Sequence, residues 1–150
     1  MAILAIAISA QLSVFSSSYV SIGRASMKGT AVTLADKQME YYRTLPYSCI
    51  YLASASGDSA YSSDSAYSAS QLTGSSCSPY ASPAASATTA SQTVSGPDNR
   101  SYRVDTYIVS TTPTGGRALK TVTVVVRRVT NGVVGSVLAR EASTYDQAQQ

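Results

Sequence analysis

Cys49 and Cys77 are the only cysteines among the 150 residues, and the chemistry open to them is oxidation to one disulfide. In an exported chain the pair would be closed, and in a reducing compartment it would stay as two thiols. We favour the disulfide, because the residues between the two cysteines offer little else to hold that segment. Closing a loop of this size stabilises a fold by about 3–4 kcal/mol, mostly by restricting the unfolded chain. The other reactive groups make no constellation. Histidine is absent, which removes Ser-His-Asp and Cys-His nucleophiles and leaves no ordinary zinc ligand set. Asp36 and Glu40 share a helical face and read as solvated carboxylates. Asp58 and Asp64 fall in a segment where nothing is expected to tune their acidity. Gly115-Gly116 marks a turn and not a phosphate-binding loop. Asn99-Arg100-Ser101 matches the short N-glycosylation sequon. The net charge of +3 is small, its basic residues are scattered, and no nucleic-acid footprint emerges. No catalytic residue, metal site or cofactor is therefore expected.

The groups that remain are positioned by a long helix, assigned to residues 1–46. Its opening, Ala2-Ile3-Leu4-Ala5-Ile6-Ala7-Ile8, is apolar from the start, and no charge precedes Arg24. Ser9, Gln11, Ser13 and Ser16-Ser17-Ser18 interrupt the run, so residues 2–22 make a marginal membrane span against the roughly 20 apolar residues needed. A secretory signal peptide fits less well, since no basic region leads in. We adopt a third reading, in which about ten further apolar residues precede Met1 and complete a span. The membrane-anchor or helical-bundle positions are then Ile3, Leu4, Ile6, Ile8, Leu12 and Phe15. Leu12, Phe15, Tyr19 and Ile22 recur at spacings of three and four, as do Ala31, Ala35, Met39, Tyr42 and Leu45. The second stripe should lie on a sheet. Gly23 and Gly29 weaken the middle of the helix by about 1 kcal/mol each. Pro46 biases Leu45 out of helical geometry and ends it.

Residues 47–99 read as a long Ser/Ala/Tyr-rich loop clipped by the cysteines. No apolar periodicity marks residues 53–96, and Tyr61, Tyr67 and Tyr80 read as solvated in preference to the alternative of a contact surface. From Arg100 the pattern changes. Tyr102–Val109, Leu119–Val129 and Val133–Ser143 alternate or run in β-branched residues, and Asn131-Gly132 is a hairpin signal. Residues 100–144 thus form an antiparallel meander whose Val122, Val124 and Val126 face the helix. Ala35, Met39, Tyr42 and Leu45 are the matching helix residues. Residues 145–150 read as a frayed polar tail. The fold class is α+β: a long N-terminal helix on a C-terminal antiparallel sheet of three or more strands.

Three stretches together resemble type IV pilin-like proteins. The opening Met1–Ile8 looks like the second half of a prepilin N-terminal segment. Leu34-Ala35-Asp36-Lys37-Gln38-Met39-Glu40 with Arg43-Thr44-Leu45-Pro46-Tyr47 is similar to the helix end of V-type minor pilins and I-type pseudopilins. Tyr102-Arg103-Val104-Asp105-Thr106-Tyr107 and Lys120-Thr121-Val122-Thr123-Val124 look like the sheet of that family. The likeness covers both ends of the chain and not the loop. The family's processing motif, a glycine followed by Phe-Thr-Leu-Ile-Glu or a close variant, is not among these residues, so no cleavage site is assigned. The resemblance implies a structural subunit of a type IV pilus. Its partners would be other pilin or pseudopilin subunits and, through the helix, membrane lipid. The head would be exported, and would reach the cell surface after assembly. Two other functions fit the same features: a pseudopilin of a type II secretion-like system, and an unrelated membrane-anchored β-rich adhesive module.

Overall fold

The computed structural model describes the backbone of residues 2–149 and the side chains of residues 18–148. Helix α1 runs over Ala2–Arg43 without a break at either Gly23 or Gly29. At 42 residues it is about 60 Å long, far longer than the sheet it meets. Its C-terminal part is amphipathic by side-chain spacing. Ala31, Ala35, Met39 and Tyr42 recur every three or four residues and are all buried, the stripe a helix lays against a flat partner. Leu45, beyond the helix end, is half-buried against the same core. Arg43 sits in the last turn, where a cation opposes the helix dipole, and Pro46 follows in extended geometry, with φ −56° and ψ 148°.

The partner is a four-stranded antiparallel sheet in the order β1-β2-β3-β4, formed by Ser91–Ser95, Ser101–Thr111, Leu119–Thr130 and Val133–Asp146. One face carries Val104, Ile108, Val122, Val124, Val126, Ala139 and Tyr145, and joins Ala35, Met39 and Tyr42 in the main core. The Tyr145 hydroxyl reaches the Met39 sulfur at 3.5 Å. Asn131 (φ 51°) and Gly132 (φ 79°) make the two-residue turn between β3 and β4. Both central residues of such a turn need positive φ, which asparagine and glycine tolerate.

Three expectations for the polar segments do not hold. Residues 145–150 are not all a frayed tail: β4 runs on to Asp146, and Tyr145 is buried opposite Lys120. The segment 53–96 is not structureless either. It supplies β1, and a short helix α2 over Ser59–Ser62 whose N-cap is Asp58. Strand β1 reads Ser-Gln-Thr-Val-Ser and has no apolar alternation. It joins the sheet through backbone pairing with β2, from Ser91 opposite Asp105 to Ser95 opposite Ser101. Beyond β1 the same edge of β2 is met by Gln71 and Leu72, with the Leu72 N–H donating to the Ile108 carbonyl at 2.8 Å. Tyr61, expected to be solvated, is fully buried, while Tyr67 and Tyr80 are exposed. The Tyr61 ring stacks on Tyr107 at 4.3 Å, and its hydroxyl donates to the Thr106 carbonyl at 2.7 Å. The loop is therefore the cover of the second face of the sheet. That is why every residue of β2 from Tyr102 to Ile108 is buried.

Cys49 and Cys77 are joined in a disulfide. It stands beside Tyr51 in a small apolar cluster of its own, and Gly74 lies directly under the Tyr51 ring. A Cβ on Gly74 would come within 2.9 Å of that ring, so the close approach requires glycine.

Candidate assembly surface

Among the described side chains the helix has a covered stretch and an exposed one. From Ala31 onward its stripe is buried, whereas Tyr19 to Ile22 are all exposed. Tyr19 is 77% exposed, Ile22 66% and Val20 54%. Three large apolar side chains in water on one helical stretch form an unpartnered surface, which marks an interaction site more often than chance. The backbone continues as helix from there to Ala2. The expected membrane or filament-core residues Ile3, Leu4, Ile6, Ile8, Leu12 and Phe15 have side chains outside the described residues. Among the described residues no helix is long and apolar enough to cross a membrane.

Where the helix leaves the sheet it opens a cleft of about 810 Å³. Arg24, Met27 and Lys28 line one wall, and Arg128, Thr130 and Ser136 are on the other. Arg24 and Lys28 are four residues apart and so share a face. The Arg128 guanidinium reaches the Met27 sulfur at 3.5 Å, and its Nε is buried without a hydrogen-bond partner.

The head beneath this surface is held by a chain of six alternating charges that the sequence reading did not find. Arg103 Nη1 contacts Asp58 Oδ2 at 3.0 Å, and Arg103 Nε donates to Asp105 Oδ1 at 2.8 Å. Arg127 donates to both Asp105 and Asp64, and Arg140 donates to the two Asp64 oxygens at 2.7 and 2.9 Å. Asp58 and Asp64 come from the loop, Arg103 and Asp105 from β2, Arg127 from β3 and Arg140 from β4. The network thus rivets the loop across three strands. It balances three carboxylates against three guanidiniums, which is how charges are tolerated in an interior. Asp105 is completely buried.

The expectation that nothing tunes Asp58 and Asp64 is corrected by this network. The hydrogen bond from Arg103 and the Ala60 N–H hold the Asp58 carboxyl below its ordinary value. Burial alone would raise Asp64, but the Ala66 N–H, Arg140 and Arg127 outweigh it and bring it down. On the helix side Glu141 moves the other way, raised by burial and by Asp36. Burial pushes the Tyr107 hydroxyl up to about 12, so it remains a neutral donor, bonded to the Tyr61 carbonyl at 3.0 Å.

The arrangement is one of surfaces and supports. Among the described residues no group of three or more histidines, cysteines or carboxylates could hold a metal. No family model, curated protein or solved structure matches this chain. The geometry is therefore the ground for a functional reading. It brings Ala35, Met39, Tyr42, Val122, Val124 and Val126 into one core and pairs Cys49 with Cys77. A sequence signal for the ion network existed in Arg103-x-Asp105, two charges on one face of a strand otherwise rich in apolar and aromatic residues. Its partners Asp58 and Asp64 lie about 40 residues upstream in low-complexity sequence, where no pattern pointed to them.

Proposed function

We propose that this chain is a minor pilin-like structural subunit. It would sit in the membrane through the free part of α1 and then take part in assembly or modification of a type IV pilus. The observation that carries this reading is the division of one continuous helix. Its C-terminal stripe is buried on the sheet, while Tyr19, Val20 and Ile22 stand exposed above the head. A helix that serves only its own domain has no use for such an apolar extension, because exposed apolar area gains stability only when a lipid or a partner covers it. The chemistry of that extension suits lipid before assembly and the similar helices of neighbouring pilin or pseudopilin subunits afterwards. The head, with its disulfide and ion-paired loop, is built to survive outside the cell.

A pseudopilin of a secretion system would use the same parts. The reading of an unrelated anchored adhesive module draws on one observation, the exposure of Tyr67 and Tyr80 on the loop. Genomic DNA upstream of the Met1 codon separates the pilin group from that module. The expected result is an in-frame extension with a short basic leader, then Gly-Phe-Thr-Leu-Ile-Glu or a near match. A stop codon and ribosome-binding site immediately upstream would instead favour the adhesive module.

A further inference from the structure

We propose that the cleft at the root of the free helix binds the headgroup phosphate of an anionic phospholipid, through Arg24, Lys28 and Arg128. The inference rests on the reading that the helix N-terminal to this point enters a membrane. Four observations carry it. The cleft holds about 810 Å³ and draws three cations from two elements, with no carboxylate among its lining residues. None of the ion pairs among the described residues engages Arg24, Lys28 or Arg128, although on the other face of the sheet Arg103, Arg127 and Arg140 each have a carboxylate partner. Arg128 keeps a buried Nε donor without a partner, an arrangement that an incoming anion would relieve. Finally, no charged side chain lies between Met1 and Arg24, so the cationic cluster lies where the uncharged stretch of helix ends and a bilayer surface would begin.

The chemistry is specific in kind. A guanidinium matches two phosphate oxygens at once, and an ammonium four residues away along the helix adds a point charge. Ser21, Thr130 and Ser136 line the same cleft and bring hydroxyl donors suited to the remaining oxygens. Apolar Ala25, Val137 and Leu138 complete the walls, a lining compatible with the glycerol and upper acyl carbons of a lipid. A cationic helix face beside a membrane segment attracts anionic headgroups, with roughly fivefold in partitioning for each Lys or Arg near the surface.

The test uses the 150-residue chain and sedimentation with two sets of vesicles, phosphatidylcholine alone and phosphatidylcholine mixed with phosphatidylglycerol. The expected result is binding to both, with a clear preference for the anionic set that fades with added salt. The double variant R24Q/K28Q lies on the exposed helix, where the packing of the head is untouched. It should lose most of that preference, roughly fivefold per residue removed, and bind neutral vesicles as the parent does. The R128Q variant should behave alike, with its thermal melt checked for an intact head. Equal binding of parent and variants to both vesicle sets would overturn the cleft while leaving the membrane anchor standing. Failure to bind either set would overturn both. Titration with inorganic phosphate is the remaining arm. Amide shifts at Lys28 and Arg128 without any preference for anionic vesicles would overturn the lipid in favour of a soluble anion.

Discussion

Replacing Asp105 by alanine is expected to destabilise the head by about 3–5 kcal/mol, measured by chemical denaturation. The carboxylate is completely buried and accepts from Arg103 and Arg127. Its removal leaves two guanidiniums facing each other in the interior, which is the costly way to break a buried ion pair. Arg140→Gln is the control, because Arg140 lies at the solvent end of the chain with 37% of its side chain exposed. It should cost less than about 1 kcal/mol. Near-equal effects of the two variants would show that water reaches Asp105 and that the network is a surface feature. Acid should attack the same structure. Asp58 and Asp64 have folded-state acidities below their ordinary values. Their stabilisation is complete above the unfolded value of about 3.9 and is lost as the pH falls through the lower folded values. Stability should therefore be flat toward neutrality and fall below about pH 4, with the loop leaving the sheet first.

Removal of the disulfide is expected to cost about 3–4 kcal/mol, the loop-closure entropy of a crosslink spanning 28 residues. The double variant Cys49→Ser, Cys77→Ser isolates the effect without a reducing agent. The crosslink ties the chain just after α1 to the far end of the loop, and Tyr51 and Gly74 pack beside it. The rest of the loop has anchors of its own, in Tyr61 on Tyr107 and Leu72 on Ile108. The variant should therefore fold to the same sheet with a lower melting temperature and a loosened segment around Cys77. A loss below about 1 kcal/mol would mean that the unfolded chain without the crosslink is already restricted by residual structure, contrary to the entropic account.

The parts legible from sequence were those governed by periodicity. The stripe Ala31, Ala35, Met39, Tyr42 and the alternation Val122, Val124, Val126 announce a helix on a sheet, because one buried face imposes one period. Asn131-Gly132 announces its hairpin through backbone sterics alone. The hidden parts were governed by partners distant in sequence. Strand β1 has no apolar rhythm because it is held by backbone pairing to β2. Tyr61 looks like its neighbours Tyr67 and Tyr80 in a tyrosine-dotted tract, and only the fold puts it alone of the three into the core. Asp64 looked solvated because its two arginines come from β3 and β4. The cationic cleft was half legible: Arg24 and Lys28 lie one helical turn apart, but Arg128 joins them only when the helix crosses the β3–β4 hairpin.

The claim that the free helix is an assembly surface is tested most directly by a cysteine placed on it. Ile22→Cys, labelled with a thiol-reactive benzophenone in the cells that make this protein, should form photo-adducts with other filament subunits on irradiation. Mass spectrometry should find the partner linked through its own apolar N-terminal helix. Ile22 is two-thirds exposed in the isolated chain, so the thiol is free to report on whatever covers it. Adducts of that kind, recovered with sheared surface filaments, are the predicted result. A label that yields no adduct, at a thiol that reacts with a water-soluble maleimide as fast as it does in the isolated chain, would mean that nothing packs on the helix, and would contradict the account.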